Sequence, residues 1–203
     1  MRLSILIPTT PDRTSFVDEL KRQFLSQLGR ITLWTSGENG IDNFSWRDHV
    51  ELITLTDNKE NSIGTKRNIL LKESEGKYVA FIDSDDRISD NYFELLFQGI
   101  ETGVDCCSLK GIITEDGNNP LVFEHSIKYY EYKTNPEGMP VRYERYPNHL
   151  NCIKASIAKQ FKFPEINHSE DTQWATQIFK SGLLKTEHYI PEILYYYDYR
   201  SKK

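Results

Sequence analysis

The chain has 203 residues, of which 38% are hydrophobic and 27% are charged, so it can bury the core of one domain. This composition excludes a fibrous or disordered chain, and the net charge of −5 disfavours a non-specific nucleic-acid binder, which is normally basic. No apolar run approaches the ~20 residues of a membrane helix. The start is broken too soon by Pro8 for a signal peptide, and three cysteines make a poor disulfide framework. We therefore expect a cytoplasmic protein.

Short apolar runs alternate with amphipathic segments through the first half of the chain. The apolar runs predict strands at residues 3–7, 31–35, 50–55 and 78–82. Apolar residues at helical spacing predict a helix that Gly29 ends, and a second helix is predicted between Gly64 and Gly76. This alternation predicts an α/β fold with a largely parallel sheet. In such sheets ligands bind beyond the carboxyl ends of the strands, where this sequence has polar loops.

The second half has a different pattern. Two apolar runs around the turn residues 114–119 predict a hairpin. Residues 127–146 are rich in Tyr, Lys, Arg and Glu and are interpreted as strands with a mobile loop. Helices are predicted at residues 152–161 and 170–181. No linker divides the chain, so we predict one domain over residues 1–203.

An acidic cluster, Asp83-Ser84-Asp85-Asp86, directly follows the predicted strand 78–82. Neighbouring carboxylates repel one another unless they face water or a cation. In extended geometry Asp83 and Asp85 point to the same side, and two oxygen ligands suit Mg²⁺ or Mn²⁺. The alternative is that these residues only form a turn and cap the next helix.

Two further charged pairs stand at predicted helix starts. The positive charges of Lys66 and Arg67 interact unfavourably with the helix dipole, and a bound diphosphate or base would compensate this cost. A solvated charged face is the simpler interpretation. The negative charges of Glu170 and Asp171 interact favourably with the helix dipole, so helix capping explains their position without a reactive role.

The five histidines lack the spacing of a zinc site. We expect each of them to have a surface or hydrogen-bonding role. The sequence also contains no Walker loop, no G-x-G-x-x-G and no G-x-S-x-G, which disfavours P-loop, dinucleotide-binding and serine-hydrolase functions.

Taken in order, several segments of the chain resemble the family 2 glycosyltransferases, which have the GT-A fold. The matching segments are Leu3-Ser4-Ile5-Leu6-Ile7-Pro8-Thr9, Thr65-Lys66-Arg67-Asn68, Glu75-Gly76-Lys77-Tyr78-Val79-Ala80-Phe81-Ile82-Asp83-Ser84-Asp85-Asp86, Phe163-Pro164-Glu165 with Glu170-Asp171, and Pro191-Glu192-Ile193-Leu194-Tyr195-Tyr196-Tyr197. The resemblance implies a Rossmann-like, mixed and mostly parallel central sheet flanked by helices, with a small C-terminal acceptor-side subregion. Residues 1–103 would be the nucleotide-sugar-binding half and residues 104–203 the acceptor-binding half.

The resemblance also implies an activity. The protein would be an inverting, metal-dependent hexosyl- or pentosyltransferase that moves one sugar from a UDP-sugar donor to an acceptor hydroxyl. The acceptor would be a glycan, a protein or a nucleic acid, and the cofactor Mn²⁺ or Mg²⁺.

Site residues follow from the same resemblance. Asp83-Ser84-Asp85 matches the DxD motif, in which Asp85 and Asp83 would hold the metal. Asp171 would be the general base, beside Glu170. The donor-binding residues would be Thr9, Arg13, Glu38, Lys66, Arg67, Asp83 and Ser84. A third metal ligand is not evident from the sequence, and His188 is one candidate.

Three alternatives stay open at this point. A nucleotidyltransferase would share the fold and the acidic ligands but would carry a glycine-rich loop after the first strand, which residues 8–13 lack. A glycosidase needs a carboxylate pair and no nucleotide. A non-catalytic sugar- or nucleic-acid-binding module would stack its ligand on Tyr129, Tyr130 or Tyr132.

Overall fold

The computed structural model describes residues 3–29, 33–36, 40–46 and 49–200. The strands in this part of the chain are β1 (Leu3–Thr9), β2 (Leu33–Ser36), β3 (Ile41–Trp46), β4 (Val50–Thr56), β5 (Tyr78–Phe81), β6 (Arg87–Ile88), β7 (Cys106–Cys107), β8 (Leu109–Glu115), β9 (Asn118–His125), β10 (Lys133–Thr134), β11 (Tyr143–Arg145), β12 (Ile153–Lys154), β13 (Glu187–His188) and β14 (Tyr195–Tyr199). The helices are α1 (Thr14–Leu28), α2 (Ile63–Glu73), α3 (Tyr92–Thr102), α4 (Ala155–Ala158) and α5 (Glu170–Ser181).

Eight of the described strands form a mixed sheet in the order β13-β7-β12-β5-β1-β4-β3-β2. Its centre is parallel, because β1 pairs with β4 on one side and with β5 on the other. Antiparallel pairs join β4, β3 and β2 toward one edge and β5, β12 and β7 toward the other. The α/β architecture with a mixed central sheet is confirmed. Because β1, β4 and β5 are parallel, their carboxyl ends lie at one edge.

A second sheet has the order β10-β11-β9-β8-β14-β6 among the described strands. The predicted hairpin is confirmed as β8 and β9, and Asp116 and Gly117 take positive φ values of 48° and 75° in its turn. Strand β6 starts directly after Asp86 and pairs with β14. The acidic loop therefore leads from the first sheet into the second.

Two predicted elements differ from the structure. Strand β3 was not predicted, because polar residues interrupt its apolar positions and its pairing depends on β4. The helix predicted at residues 152–161 is shorter: Ile153 pairs with β5 and extends the first sheet, and only Ala155–Ala158 is α-helical. Strands from both halves of the chain enter both sheets, and the predicted division at residue 103 stays a prediction.

Helices α2 and α5 pack against each other beside the carboxyl ends of the central strands. The Ser62 side chain caps α2 by accepting a hydrogen bond from the Thr65 amide. Gly64 is in close contact with the Pro164 carbonyl, where a Cβ atom would clash, so the start of α2 lies against the loop before α5. On α5, Trp174 stacks on Phe163 with ring centroids 4.6 Å apart. This buried stack fixes the orientation of α5.

The described helices include none with the length and apolar character needed to cross a bilayer.

Candidate functional site

Lys66 joins the carboxyl ends of two central strands. Its Nζ lies 2.7 Å from Oδ1 of Asp57, just after β4, and donates a hydrogen bond of 3.1 Å to the carbonyl of Thr9, the last residue of β1. Burial raises the pKa of Asp57, but hydrogen bonds from Lys66 and Asn61 outweigh it and lower that pKa. Lys66 is 4% exposed, so a solvated charged face is the wrong interpretation of this residue.

Arg67 connects the acidic loop to α5. Its Nη2 donates to Oδ1 of Asp83 at 2.8 Å, and its Nε donates to Oε1 of Glu170 at 3.2 Å. The guanidinium also lies over the ring of Phe81, 5.2 Å from its centroid, and it is 3% exposed. Burial alone would raise the pKa of Asp83, but Arg67 and His149 hold it well below its ordinary range. The helix-capping interpretation of Glu170 is therefore incomplete, because its carboxylate is buried against Arg67.

His149 lies between the two carboxylates that the sequence singles out. Its Nε2 is 3.6 Å from Oδ2 of Asp83, and its Nδ1 is 3.7 Å from Oδ2 of Asp171. The ring is buried, and neither nitrogen has a hydrogen-bond partner in the part of the chain that the structure describes. The sequence does not single out this residue, because its neighbours are distant in the chain and no spacing motif marks it.

Asp86 is fixed by Tyr195 of β14. The tyrosine Oη donates to Oδ2 of Asp86 at 2.7 Å and accepts a hydrogen bond of 3.0 Å from the Asp83 amide. Burial, together with the nearby charge of Asp83, raises the pKa of Asp86 well above its ordinary value. One hydroxyl therefore holds both the side chain and the backbone of the acidic loop.

Asp85 lies on the outer side of the loop, where Arg13 Nη1 is 3.0 Å from its Oδ1. Arg13 Nη1 also lies 3.5 Å from Oγ of the buried Ser84. The Asp85 side chain is 19% exposed, so a ligand can reach its carboxylate.

The residues for a metal ion are limited in number. No group of three or more His, Cys, Asp or Glu residues that could hold a metal occurs among the described residues. Asp83 and Asp85 offer oxygen ligands, and Mg²⁺ is commonly held by one or two carboxylates with substrate phosphates. These oxygen donors suit such an ion by their chemistry, and each carboxylate is also paired with a cation, Asp83 with Arg67 and Asp85 with Arg13. His188 is not placed to help, because β13 lies three strands from β5 and His188 packs against Gly99 of α3.

A cavity of about 290 Å³ opens beside these carboxylates. Its lining includes the carboxylates of Asp83, Asp86 and Asp171, the guanidinium of Arg145, and several apolar or aromatic side chains of the second sheet. These apolar or aromatic side chains are Ile113, Phe123, Tyr143 and Tyr197. Burial, reinforced by the charges of Asp86 and Asp83, raises the pKa of Tyr197 to about 12. The cavity thus combines hydrogen-bond acceptors with an apolar wall, which is the composition of a small-molecule site.

The tyrosine-rich segment does not form an open stacking surface. Tyr129 donates to Glu124 and packs under Lys128, and the Tyr132 ring lies 4.5 Å from that of Tyr146. Tyr130 is 79% exposed. Of the three tyrosines expected to stack on a ligand, two pack against their own chain.

The other predicted donor-binding positions have mixed placements. Thr9 is buried at the end of β1, beside Lys66. Glu38 lies outside the described residues. The structure brings Thr9, Arg13, Lys66, Arg67, Asp83 and Ser84 to the same edge of the sheet, and their roles toward a donor stay predictions.

The fold and the site together define an α/β protein that gathers carboxylates and cations beyond the carboxyl ends of its parallel strands, where such sheets bind ligands. Residues 41–163, more than half of the chain, match the family described as glycosyl transferase family 2. The chain therefore belongs to glycosyl transferase family 2, which confirms the resemblance seen in the sequence. No curated protein sequence matches the chain.

Solved structures of TarS from S. aureus share the fold. The structure of TarS 1–349 has a TM-score of 0.62 and 16% identity, and the alignment covers 98% of this chain and 60% of that one. TarS 1–349 in complex with UDP-GlcNAc has a TM-score of 0.58 and 14% identity, covering 100% of this chain and 60% of that one. The present chain thus spans 60% of the length of these structures.

Proposed function

We propose that this chain transfers one sugar from a UDP-sugar to an acceptor hydroxyl, with inversion and with help from a divalent cation. The observation that carries the proposal is the position of Asp171. Its carboxylate is 31% exposed, lines the cavity, and stands on the first turn of α5 beside the buried Arg67–Glu170 pair. Family membership supports sugar transfer, and the UDP and UDP-GlcNAc complexes of TarS support a uridine diphosphate donor.

The donor side is proposed at the strand ends. We assign Thr9 and Lys66 to the nucleotide pocket, and Arg13 and Ser84 to the phosphates. The support is that Lys66 donates to the Thr9 carbonyl at the strand ends and that Arg13 lies 3.5 Å from Ser84. A cation held by Asp83 and Asp85 would act as a Lewis acid and neutralise charge on the departing diphosphate. Arg67 supports this side indirectly, because it is buried and holds Asp83 in place.

The acceptor side is proposed in the cavity. Asp171 takes the proton from the acceptor hydroxyl as its oxygen attacks the anomeric carbon. The attack comes from the face opposite the diphosphate, so the bond from the anomeric carbon to the phosphate oxygen breaks and the configuration inverts. The acceptor itself is a glycan, a protein or a nucleic acid, and its reactive group must reach Asp171 through the cavity.

The test is a panel of nucleotide sugars assayed for UDP or other nucleotide release with Mn²⁺. Asp171→Asn should lower the rate about 10²–10⁴-fold, the usual range for loss of a positioned base, and leave donor KM unchanged. Glu115→Gln, an exposed carboxylate at the end of β8, is the matched control and should behave as the wild type. A product that keeps the donor's anomeric configuration by NMR would contradict the single-base mechanism.

A further inference from the structure

We propose that His149 is a positioning residue for this reaction, which sets the direction of the Asp171 carboxylate through a hydrogen bond from Nδ1. The inference rests on the proposed function and adds to it a residue that does not itself touch the reacting atoms. It follows from the ring's placement between Asp83 and Asp171, at 3.6 and 3.7 Å.

The backbone around His149 is held firmly. Its carbonyl accepts a hydrogen bond of 2.9 Å from the amide of Phe81, the last residue of β5. On either side, the Asn148 amide donates to the Asn151 side chain and the Leu150 amide donates to the Asn148 side chain, both at 3.0 Å. The ring also meets the Phe81 ring edge-on, with centroids 6.1 Å apart. His149 is therefore anchored to the strand that carries the acidic loop.

The ring nitrogens have no partner that would explain their burial. His149 is 5% exposed, and neither Nδ1 nor Nε2 makes a hydrogen bond to any described residue. A buried polar group without a partner is unfavourable, so its presence calls for an explanation. The distances to the two carboxylates are about half an ångström too long for hydrogen bonds, and catalytic contacts of this kind often shorten only when substrate is bound.

The two carboxylates differ in whether another strong hydrogen-bond donor already holds them. Asp83 already accepts a hydrogen bond of 2.8 Å from Arg67. Asp171 has a weaker contact, 3.5 Å from its Oδ1 to the Thr172 hydroxyl. The N–H on Nδ1, facing Asp171, therefore orients the carboxylate that lacks another strong donor.

This assignment predicts different effects for three substitutions. In His149→Asn the amide nitrogen can take the place of Nδ1, whereas in His149→Gln it can take the place of Nε2. His149→Leu removes both nitrogens and keeps an apolar side chain of similar bulk. His188→Asn, on β13 and away from the cavity, is the control for replacing a histidine.

The experiment measures Mn²⁺-dependent UDP release from UDP-GlcNAc, with kcat and donor KM determined separately and folding checked by thermal unfolding. We expect His149→Leu and His149→Gln to lower kcat about 10–100-fold, as removal of orienting partners does at other sites, with donor KM within about twofold. His149→Asn should recover most of the rate, and His188→Asn should match the wild type. Equal kcat in all three His149 variants, or rescue by Gln and not by Asn, would overturn the assignment.

Failure of the proposed function gives a different result. If the wild type releases no nucleotide from any nucleotide sugar, transfer is wrong and the rates do not bear on His149. The decisive measurement is then structural, with crystal structures of the wild type and of His149→Leu, each with UDP and Mn²⁺ added. An Asp171 side chain that changes rotamer in the variant supports the positioning role, and an unchanged rotamer refutes it.

Discussion

Arg67 and Glu170 form an ion pair inside the protein, with Nε of the arginine 3.2 Å from Oε1 of the glutamate across 103 residues of sequence. The same guanidinium holds Asp83 at 2.8 Å. Glu170 immediately precedes Asp171, so one buried cation sets the distance between the acidic loop and the first turn of α5. The chemistry proposed for Asp83 and Asp171 depends on this connection.

Replacing Arg67 should therefore affect folding as well as activity. Arg67→Met leaves the buried carboxylate of Glu170 and the partly exposed carboxylate of Asp83 without their cation. Breaking a buried ion pair from one side costs about 3–5 kcal/mol. Urea unfolding measures this loss directly. The control is Arg22→Met, which breaks an exposed pair with Glu19 and should change stability by less than about 1 kcal/mol. An equally small effect of Arg67→Met would show that the ion pair does not hold the site together.

The sequence predicts the central strands and the acidic loop well, because both are local patterns. The runs that became β1 and β5 are almost continuously apolar, as is typical of a strand buried on both faces. The run that became β4 is also buried on both faces, although it contains Glu51 and Thr54. The long-range partners are not local. Nothing near Arg67 in the sequence indicates that it meets Glu170, and nothing near His149 indicates Asp171. Burial of a charge or an imidazole is decided by tertiary packing, so the sequence alone favours solvent-exposed or hydrogen-bonding roles for these residues.

The metal proposal predicts that Asp85 is needed for turnover. Asp85→Asn keeps the shape of the side chain but removes the charge that would balance a divalent cation. Loss of several kcal/mol of charge stabilisation corresponds to a rate at least about 100-fold lower. EDTA should abolish UDP release from the wild type, and Mn²⁺ should restore it. If Asp85→Asn and the addition of EDTA to the wild type both leave the rate unchanged, transfer does not use a metal.

Tyr195 should be required for the shape of the acidic loop. Tyr195→Phe removes the hydroxyl that donates to Asp86 and accepts from the Asp83 amide. Leaving buried polar groups unpaired costs about 1–3 kcal/mol, so thermal and urea unfolding should show a loss of this size. Tyr196→Phe, the next residue on β14 and only half-buried, is the control. If both variants lose the same stability, the Tyr195 hydroxyl has no special role.

His125 predicts how stability depends on pH. Its ring is buried, and Nδ1 lies 3.2 Å from Oδ1 of Asn151, whose Nδ2 donates to the Cys107 carbonyl. Because Asn151 donates through its Nδ2, its Oδ1 faces His125 as an acceptor. Nδ1 of His125 therefore carries the N–H that donates to Asn151. Burial lowers the pKa of His125 to about 3, although the Asn151 contact works in the opposite direction. The folded protein thus keeps this ring neutral well into the acidic range.

The sign of the effect follows from proton binding. An unfolded chain protonates this histidine below about pH 6.5, whereas the folded protein does so only near pH 3, so the free energy of unfolding falls as the pH drops between those values. The slope is at most about 1.4 kcal/mol per pH unit.

His125→Asn retains an N–H donor for Asn151 and does not titrate. Its slope in urea unfolding from about pH 6 to about pH 4.5 should be shallower than the wild-type slope by up to about 1.4 kcal/mol per pH unit, because the carboxylates contribute equally to both proteins. His168→Asn, which replaces an exposed histidine, should keep the wild-type slope. Parallel slopes for wild type and His125→Asn would mean that His125 is not held neutral in the folded protein.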